Sequence, residues 1–368
     1  MSEPALNLYA GPAARRHVER HGLQPEHVVT LAAAAGGPKG LILGPLDRFI
    51  FGQWLPRSAQ PVALVGASIG AWRMATACMG DPVAAFQQLE TGYIHCDMTT
   101  PPGRKLPPPA QVSAASAHNL RAMFEAQVPG ILNHARYRLH VVTARGRHLL
   151  AREGRWRTPA GYLGAVLTNV ASRRAMGAWI ERVVFSARDA AGQVAALPFA
   201  ARDYRTRQVA LTPGNFCPAL LASGSIPFMM QAVHDIPGAP PGAYWDGGIT
   251  DYHLHLAYHA AEAAASAAGA LVLYPHFQRA VVPGWLDKPL KWRHAATPFL
   301  DRVLVLAPNP AWVRALPGGK LPDRTDFRHL AQVERVRAWS QAVAAARQLA
   351  EEFAAWLERP DPRRVQPL

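Results

Sequence analysis

The sequence predicts an α/β protein layered around a mostly parallel sheet. Three observations predict it. Short apolar runs recur along the chain, and helix-like stretches alternate with them. Two of the first runs end in glycine-rich turns, Gly36-Gly37-Pro38-Lys39-Gly40 and Gly66-Ala67-Ser68-Ile69-Gly70. The 368 residues show no internal repeat and no clear linker, so one large domain over 1–368 is expected.

Each element has its own signal. Val28 to Ala35 reads as the first strand, followed by a helix from about Leu41 to Gly52. Pro61 to Val65 is a second strand, and Ala71 to Cys78 a helix closed by Gly80. Asp81-Pro82 is a helix start, with Asp as N-cap and Pro in the first turn. Residues 101–110, "PPGRKLPPPA", read as a surface loop. Arg138 to Thr143, Arg182 to Ser186 and Val209 to Thr212 are further strands. Tyr252 to Ala267 reads as an Ala-rich helix, then Ala270 to Tyr274 and Arg302 to Leu306 as strands. From Phe327 to Glu358, the spacing of Val336, Trp339, Val343, Ala346, Leu349, Phe353 and Trp356 predicts an amphipathic helix.

Composition narrows the classes. The first thirty residues carry Glu3, Arg15, Arg16, Glu19 and Arg20, which argues against a secretory signal. The tract Gln208 to Val233 lacks Asp, Glu, Lys and Arg. Pro213, Gly214, Pro218, Gly224 and Pro227 interrupt it, so it cannot span a membrane as one helix. Three widely spaced cysteines, Cys78, Cys96 and Cys217, fit a reduced cytoplasmic protein without a disulfide framework or zinc site. The net charge of +14 favours anionic partners: phospholipid surfaces, acidic substrates or nucleic acid. No nucleic-acid motif accompanies it, so no nucleic-acid partner is expected. The arginines between Arg136 and Arg157 read either as a solvated basic surface or as a patch for an anionic membrane.

The chemistry starts at Ser68. A serine flanked at two residues on each side by glycine, where a strand turns into a helix, is a nucleophile elbow. A turn this sharp crowds its neighbours, so positions 66 and 70 favour residues without Cβ. The following helix aims its N-terminal dipole at the serine. Gly36 and Gly37 follow the first strand, where glycines let backbone N–H groups turn toward a carbonyl oxygen. Their spacing matches neither a Walker A loop nor a dinucleotide fingerprint. Two residues compete as the base: Asp246 in "YWDGGITDYH", and His276 directly after a buried strand. Spacing alone does not choose between them. His253, His255 and His259 are expected on a helix, solvated or satisfied.

Four segments in order resemble the patatin-like phospholipase family. "AAGGPKG" resembles its glycine-rich oxyanion loop, "GASIG" its serine elbow and "DGG" its acidic motif. "ALLASGSIPFMM", Ala219 to Met230, resembles the Ala-Ser-x-x-x-Pro segment preceding the aspartate. The resemblance covers about residues 28–250 and leaves the helical segment of about 327–358 outside it. It implies a three-layer α/β/α fold and a Ser-Asp dyad without histidine. Ser68 is then the nucleophile, Asp246 its base, and Gly36 and Gly37 the oxyanion donors. Lys39 stands where the family often has arginine, which makes it a substrate-binding candidate that offers a point charge instead of a fork. Ala35 stands where the family loop has its first glycine. The substrate implied is a phospholipid or other acyl-ester lipid, with peripheral contact to anionic membranes. No metal or organic cofactor is implied. The rivals are a classical α/β-hydrolase using Ser68 and His276, and a non-catalytic basic membrane-binding protein. The first is disfavoured because only about two strands precede the elbow. The apolar tract Ala219 to Met230, with Phe228, Met229 and Met230 close before Asp246, is a candidate wall for an acyl groove, or core packing.

Overall fold

Apolar runs too short for helices become strands, and the computed structural model, which describes residues 3–96, 107–258 and 270–368, contains thirteen of them among those residues. In chain order they are β1 (Leu6–Ala10), β2 (Val28–Ala33), β3 (Val62–Ala67), β4 (Tyr137–Gly146), β5 (Ile180–Ser186), β6 (Phe199–Ala200), β7 (Thr206–Ala210), β8 (Val233–His234), β9 (Ala243–Asp246), β10 (Ala257–Tyr258), β11 (Leu271–Pro275), β12 (Val303–Pro308) and β13 (Val365–Pro367). Eleven form one sheet; β6 and β10 pair separately. Its centre, β12-β11-β2-β3-β4, is parallel throughout. Antiparallel pairs appear toward the edges, β1 on β12 and β5 on β4. The result is a mixed α/β fold with a large, mostly parallel sheet. All of β11 and β12 is buried, and β2 and β3 are nearly so, as expected for parallel strands covered on both faces.

One pairing detail positions the site. β3 runs parallel to β4 and ends at Ala67, opposite Val142. β9 runs antiparallel to β4 and ends at Asp246, opposite Thr143. The other edge of β4 is occupied by β5 over this stretch. β3 and β9 therefore share one edge of β4 and meet head to head on adjacent rungs. The residue after β3 is Ser68, and the last residue of β9 is Asp246.

The expected strands are present, with shifted ends. Asp81 caps the helix Pro82–Ile94, accepting a hydrogen bond from the Ala84 amide at 3.0 Å. Residues 101–106 of the proline-rich loop lie outside the described residues, and a helix begins at Pro109. Three expectations need correction. The Leu41–Gly52 helix is instead a 3₁₀ turn (Gly37–Leu43), a short α-helix (Gly44–Phe49) and a π turn (Ile50–Trp54). Pro38 and Pro45 remove donors from this stretch, and the two prolines fall within the first turns of its first two pieces. The Tyr252–Ala267 helix is absent over its described part. A short helix, Gly248–Asp251, ends there, and Ala257–Tyr258 is a strand paired with β6; residues 259–267 lie outside the described residues. His253 and His255 are buried on irregular backbone, where their Nδ1 atoms face the carbonyls of Ala280 and Val281. The C-terminal segment is helical but broken into Asp326–His329, Gln332–Ala345 and Arg347–Glu358. Trp339, Val343, Leu349, Phe353 and Trp356 are buried as the spacing predicts. Glu352 ties the last helix to the first strand, accepting from the amides of Ala5 (2.9 Å) and Leu6 (3.0 Å). Among the described residues no helix is long and apolar enough to cross a membrane.

Candidate active site

Ser68 sits between β3 and the helix Ile69–Ala77 with φ 57° and ψ −128°, a conformation that side chains rarely adopt. Close packing enforces it. A Cβ on Gly70 would stand 1.9 Å from the Ala33 carbonyl oxygen at the end of β2. The elbow is thereby pressed onto the strand that leads into Gly36 and Gly37. The Ser68 amide donates to Ser223 Oγ at 2.9 Å, and that hydroxyl donates to the Val142 carbonyl at 2.7 Å.

Ser68 Oγ donates to Asp246 Oδ2 at 2.7 Å. The other carboxylate oxygen accepts from the Gly248 amide, also at 2.7 Å. The Asp246 amide donates to the Ser225 carbonyl at 2.9 Å, and the Gly247 amide to the Ser223 carbonyl at 3.1 Å. Gly247 must lack a Cβ, which would fall 2.1 Å from the Val142 oxygen. Both dyad residues are buried. Burial pushes the Asp246 carboxyl above its usual range, and Arg324, Ser68 and Gly248 offset only part of that push.

Gly36 and Gly37 turn directly beside the elbow helix. Gly37 has φ +58°, and a Cβ there would lie 2.9 Å from Arg324 Nε. Among the described residues neither glycine amide donates to a backbone carbonyl or side chain. Ala35, in the position of the resemblance's first glycine, donates its amide to the Tyr252 carbonyl at 3.0 Å. That bond ties the loop to the chain that follows Asp246.

A cavity of about 540 Å³ opens on Ser68 and Gly37. Its apolar wall includes Trp72, Leu89, Met123, Phe124, Ile226, Met229 and Met230. The Ala219–Met230 tract therefore divides: Ala219, Leu220 and Ala222 are core, while Ile226, Met229 and Met230 face the cavity. Phe228 faces neither and is mostly exposed.

Two of the residues singled out from sequence stand elsewhere. Lys39 pairs with Asp323 at 3.8 Å, lies over the Phe277 ring and does not line the cavity. Among the described residues the arginine or lysine that lines it is Arg324, which the sequence reading missed. No local motif marks Arg324; only the fold carries it beside Gly37. Lys288, half-buried over the Tyr252 ring, has its pKa lowered to about 8, first by burial and then by Lys39 and Arg324. His276 is fully buried, its Nδ1 against the Gln278 carbonyl, with no hydrogen bond to Ser68 or Asp246. Burial lowers its pKa to about 3, so it is a poor proton acceptor at neutral pH. Ser223 was legible only as part of the Ala-Ser-x-x-x-Pro segment.

No family model matches the chain, and no curated protein matches it.

Proposed function

We propose that this chain is a serine acyl hydrolase of patatin-like, three-layer architecture that works through a Ser68–Asp246 dyad on acyl-ester lipids. The observation that carries the proposal is the 2.7 Å bond from Ser68 Oγ to a buried carboxylate with no cation bonded to it among the described residues. A carboxylate in water is too weak a base for a serine hydroxyl, but burial raises its proton affinity. Ser68 gives its proton to Asp246 Oδ2 as Oγ attacks the ester carbonyl. The Gly248 amide holds the other carboxylate oxygen in place. The Gly36 and Gly37 amides, with the Arg324 guanidinium beside them, receive the oxyanion charge. As the intermediate collapses, Asp246 returns the proton to the departing alkoxide. Asp246 then takes a proton from water, hydroxide equivalent attacks the acyl-serine, and Ser68 leaves with that proton.

The apolar cavity suits an acyl chain, and its cationic corner at Arg324 suits an anionic head group such as the phosphate of a phospholipid. Lys39 does not share that wall, so this reading gives substrate contact to Arg324. Three cysteines, widely spaced along the sequence with no C-x-x-C pair, support a reducing, cytoplasmic location. The test is hydrolysis of p-nitrophenyl esters together with labelling by a fluorophosphonate. Wild type turns over and is labelled on Ser68; Ser68→Ala does neither while keeping its circular dichroism spectrum. Full esterase activity in folded Ser68→Ala protein removes the assignment.

A further inference from the structure

The helix Arg157–Ala171 is built inside out. Its buried positions are Thr158, Gly161, Tyr162, Ala165 and Asn169, mostly small or polar. The face it turns to solvent is apolar: Leu163 is 61% exposed, Leu167 62%, and Val166 and Val170 are also exposed. Trp156, just before the helix and 77% exposed, falls seven residues before Leu163 and so continues the same stripe. A soluble helix normally presents the opposite pattern. The stripe also does not stand alone. Arg293 donates to the Val170 carbonyl and to Asn169 Oδ1, tying the turn that carries Trp292, 69% exposed, to the far end of the helix. Phe228 packs its ring 5.6 Å from Tyr162, held in a left-handed conformation (φ 66°) that is strained for a bulky residue. Its neighbours Ile226, Met229 and Met230 line the cavity above Ser68.

Charge says what covers this face. Between Glu153 and Glu181 there is no acidic residue, while Arg155, Arg157, Arg173 and Arg174 are present. Arg173 is spent on Asp251 and Asp287. Arg155, Arg157 and Arg174 have no carboxylate partner among the described residues, and Arg155 lies over Trp156. Lys291 is exposed beside Trp292. Tryptophans at the rim, branched and aliphatic side chains between them, and unpaired arginines around them match a bilayer interface bearing negative charge.

We infer that the outward face of Arg157–Ala171, with Trp156, Phe228 and Trp292, docks the protein on an anionic membrane surface and sets the cavity mouth against it. The docking itself stands on the exposed face and its charge; delivery of lipid to Ser68 rests on the hydrolase reading above. Leu163 and Leu167 enter the acyl boundary while the arginines meet the head groups.

The experiment is co-sedimentation of the full chain with vesicles of phosphatidylcholine alone or mixed with phosphatidylglycerol, alongside turnover of a soluble p-nitrophenyl ester. Wild type binds the anionic vesicles preferentially, and binding weakens as salt rises. L163Q/L167Q lowers the partition coefficient about tenfold or more. R155Q/R157Q lowers it on anionic vesicles only. Both exchanges lie on exposed positions, and both leave soluble-ester turnover at the wild-type value. Wild-type vesicle binding by folded L163Q/L167Q overturns the inference. So does a wild-type dimer in sedimentation velocity that this double exchange dissolves, because a second copy then covers the face. Loss of ester turnover in every form, wild type included, refutes the hydrolase reading and leaves the vesicle result to decide docking by itself.

Discussion

Asp246 and Asp251 lie five residues apart, both buried, one just before and one at the end of a single short helical turn. Their environments drive them in opposite directions. Asp251 is gripped by Arg182, whose Nε and Nη2 donate at 2.7 and 2.6 Å, and by Arg173 at 3.0 Å. Burial pushes its carboxyl upward, but Arg182 and Arg173 outweigh that and hold it below the usual range. Asp246 receives a hydroxyl and one amide but no bonded cation, and burial wins. A buried acid bonded to two arginines is structural; a buried acid bonded to a hydroxyl holds a proton-accepting oxygen in reserve. The segment "DGGITD" contains one of each.

Replacing the reactive member has the largest effect. Asp246→Asn keeps the shape and removes the base, so ester turnover falls by about 10²–10⁴-fold. The same exchange relieves an unfavourable ionisation. A carboxyl whose folded pKa is raised costs stability at neutral pH, and the cost disappears as pH falls through that raised pKa. Asp246→Asn protein is therefore expected to melt no lower than wild type at pH 7, measured by calorimetry. A marked fall in its melting temperature breaks the contrast.

Asp251→Asn tests the other side. It leaves Arg182 buried with only Asp203 to balance it, at 3.1 Å, and destabilises the fold by about 3 kcal/mol in urea titrations. The sign of the pH dependence is also opposite. Because the folded pKa of Asp251 is depressed, its contribution is full above the unfolded value. It is lost as pH falls through the folded one. Asp251→Asn should flatten acid unfolding below the usual carboxylate range, and an unchanged acid limb counts against a structural role.

The smallest effect comes from Arg324, the largest influence that lowers the Asp246 pKa. Arg324→Gln lets burial act with less opposition, so the acidic limb of the kcat/KM profile moves to higher pH. A limb that stays in place shows that Arg324 does not reach the base electrostatically.

These two aspartates also mark what a sequence can and cannot disclose. Ser68 and Asp246 were legible because their surroundings are local: a glycine at 70 or 247 answers to a backbone oxygen about 2 Å from where a Cβ would sit. The parallel strands were legible because burial on both faces makes them continuous apolar runs. The choice of Asp246 over His276 was not written in spacing. It depends on β9 filling the edge of β4 that β3 leaves open, a contact spanning 178 residues. Arg324 was invisible for the same reason. The Ala-rich stretch after Tyr252 looked helical by propensity, but its described part is held by His253 and His255 against the carbonyls of Ala280 and Val281, on the irregular chain that follows β11. The helix Arg157–Ala171 was not read from sequence at all, and its apolar periodicity would not have said which way the stripe points.

The head-to-head meeting of β3 and β9 makes the Ser68–Asp246 contact a register gauge. Successive side chains of a strand point to opposite faces, and each residue advances the chain by about 3.4 Å. Sliding β9 one residue along β4 would turn the carboxylate to the far face; sliding it two would restore the face but leave a gap of about 7 Å, beyond any hydrogen bond to Ser68. Every other strand could be correctly paired and the serine would still have no base. In the proposed hydrolase, ester turnover would thus report on the alignment of a four-residue strand to a single rung.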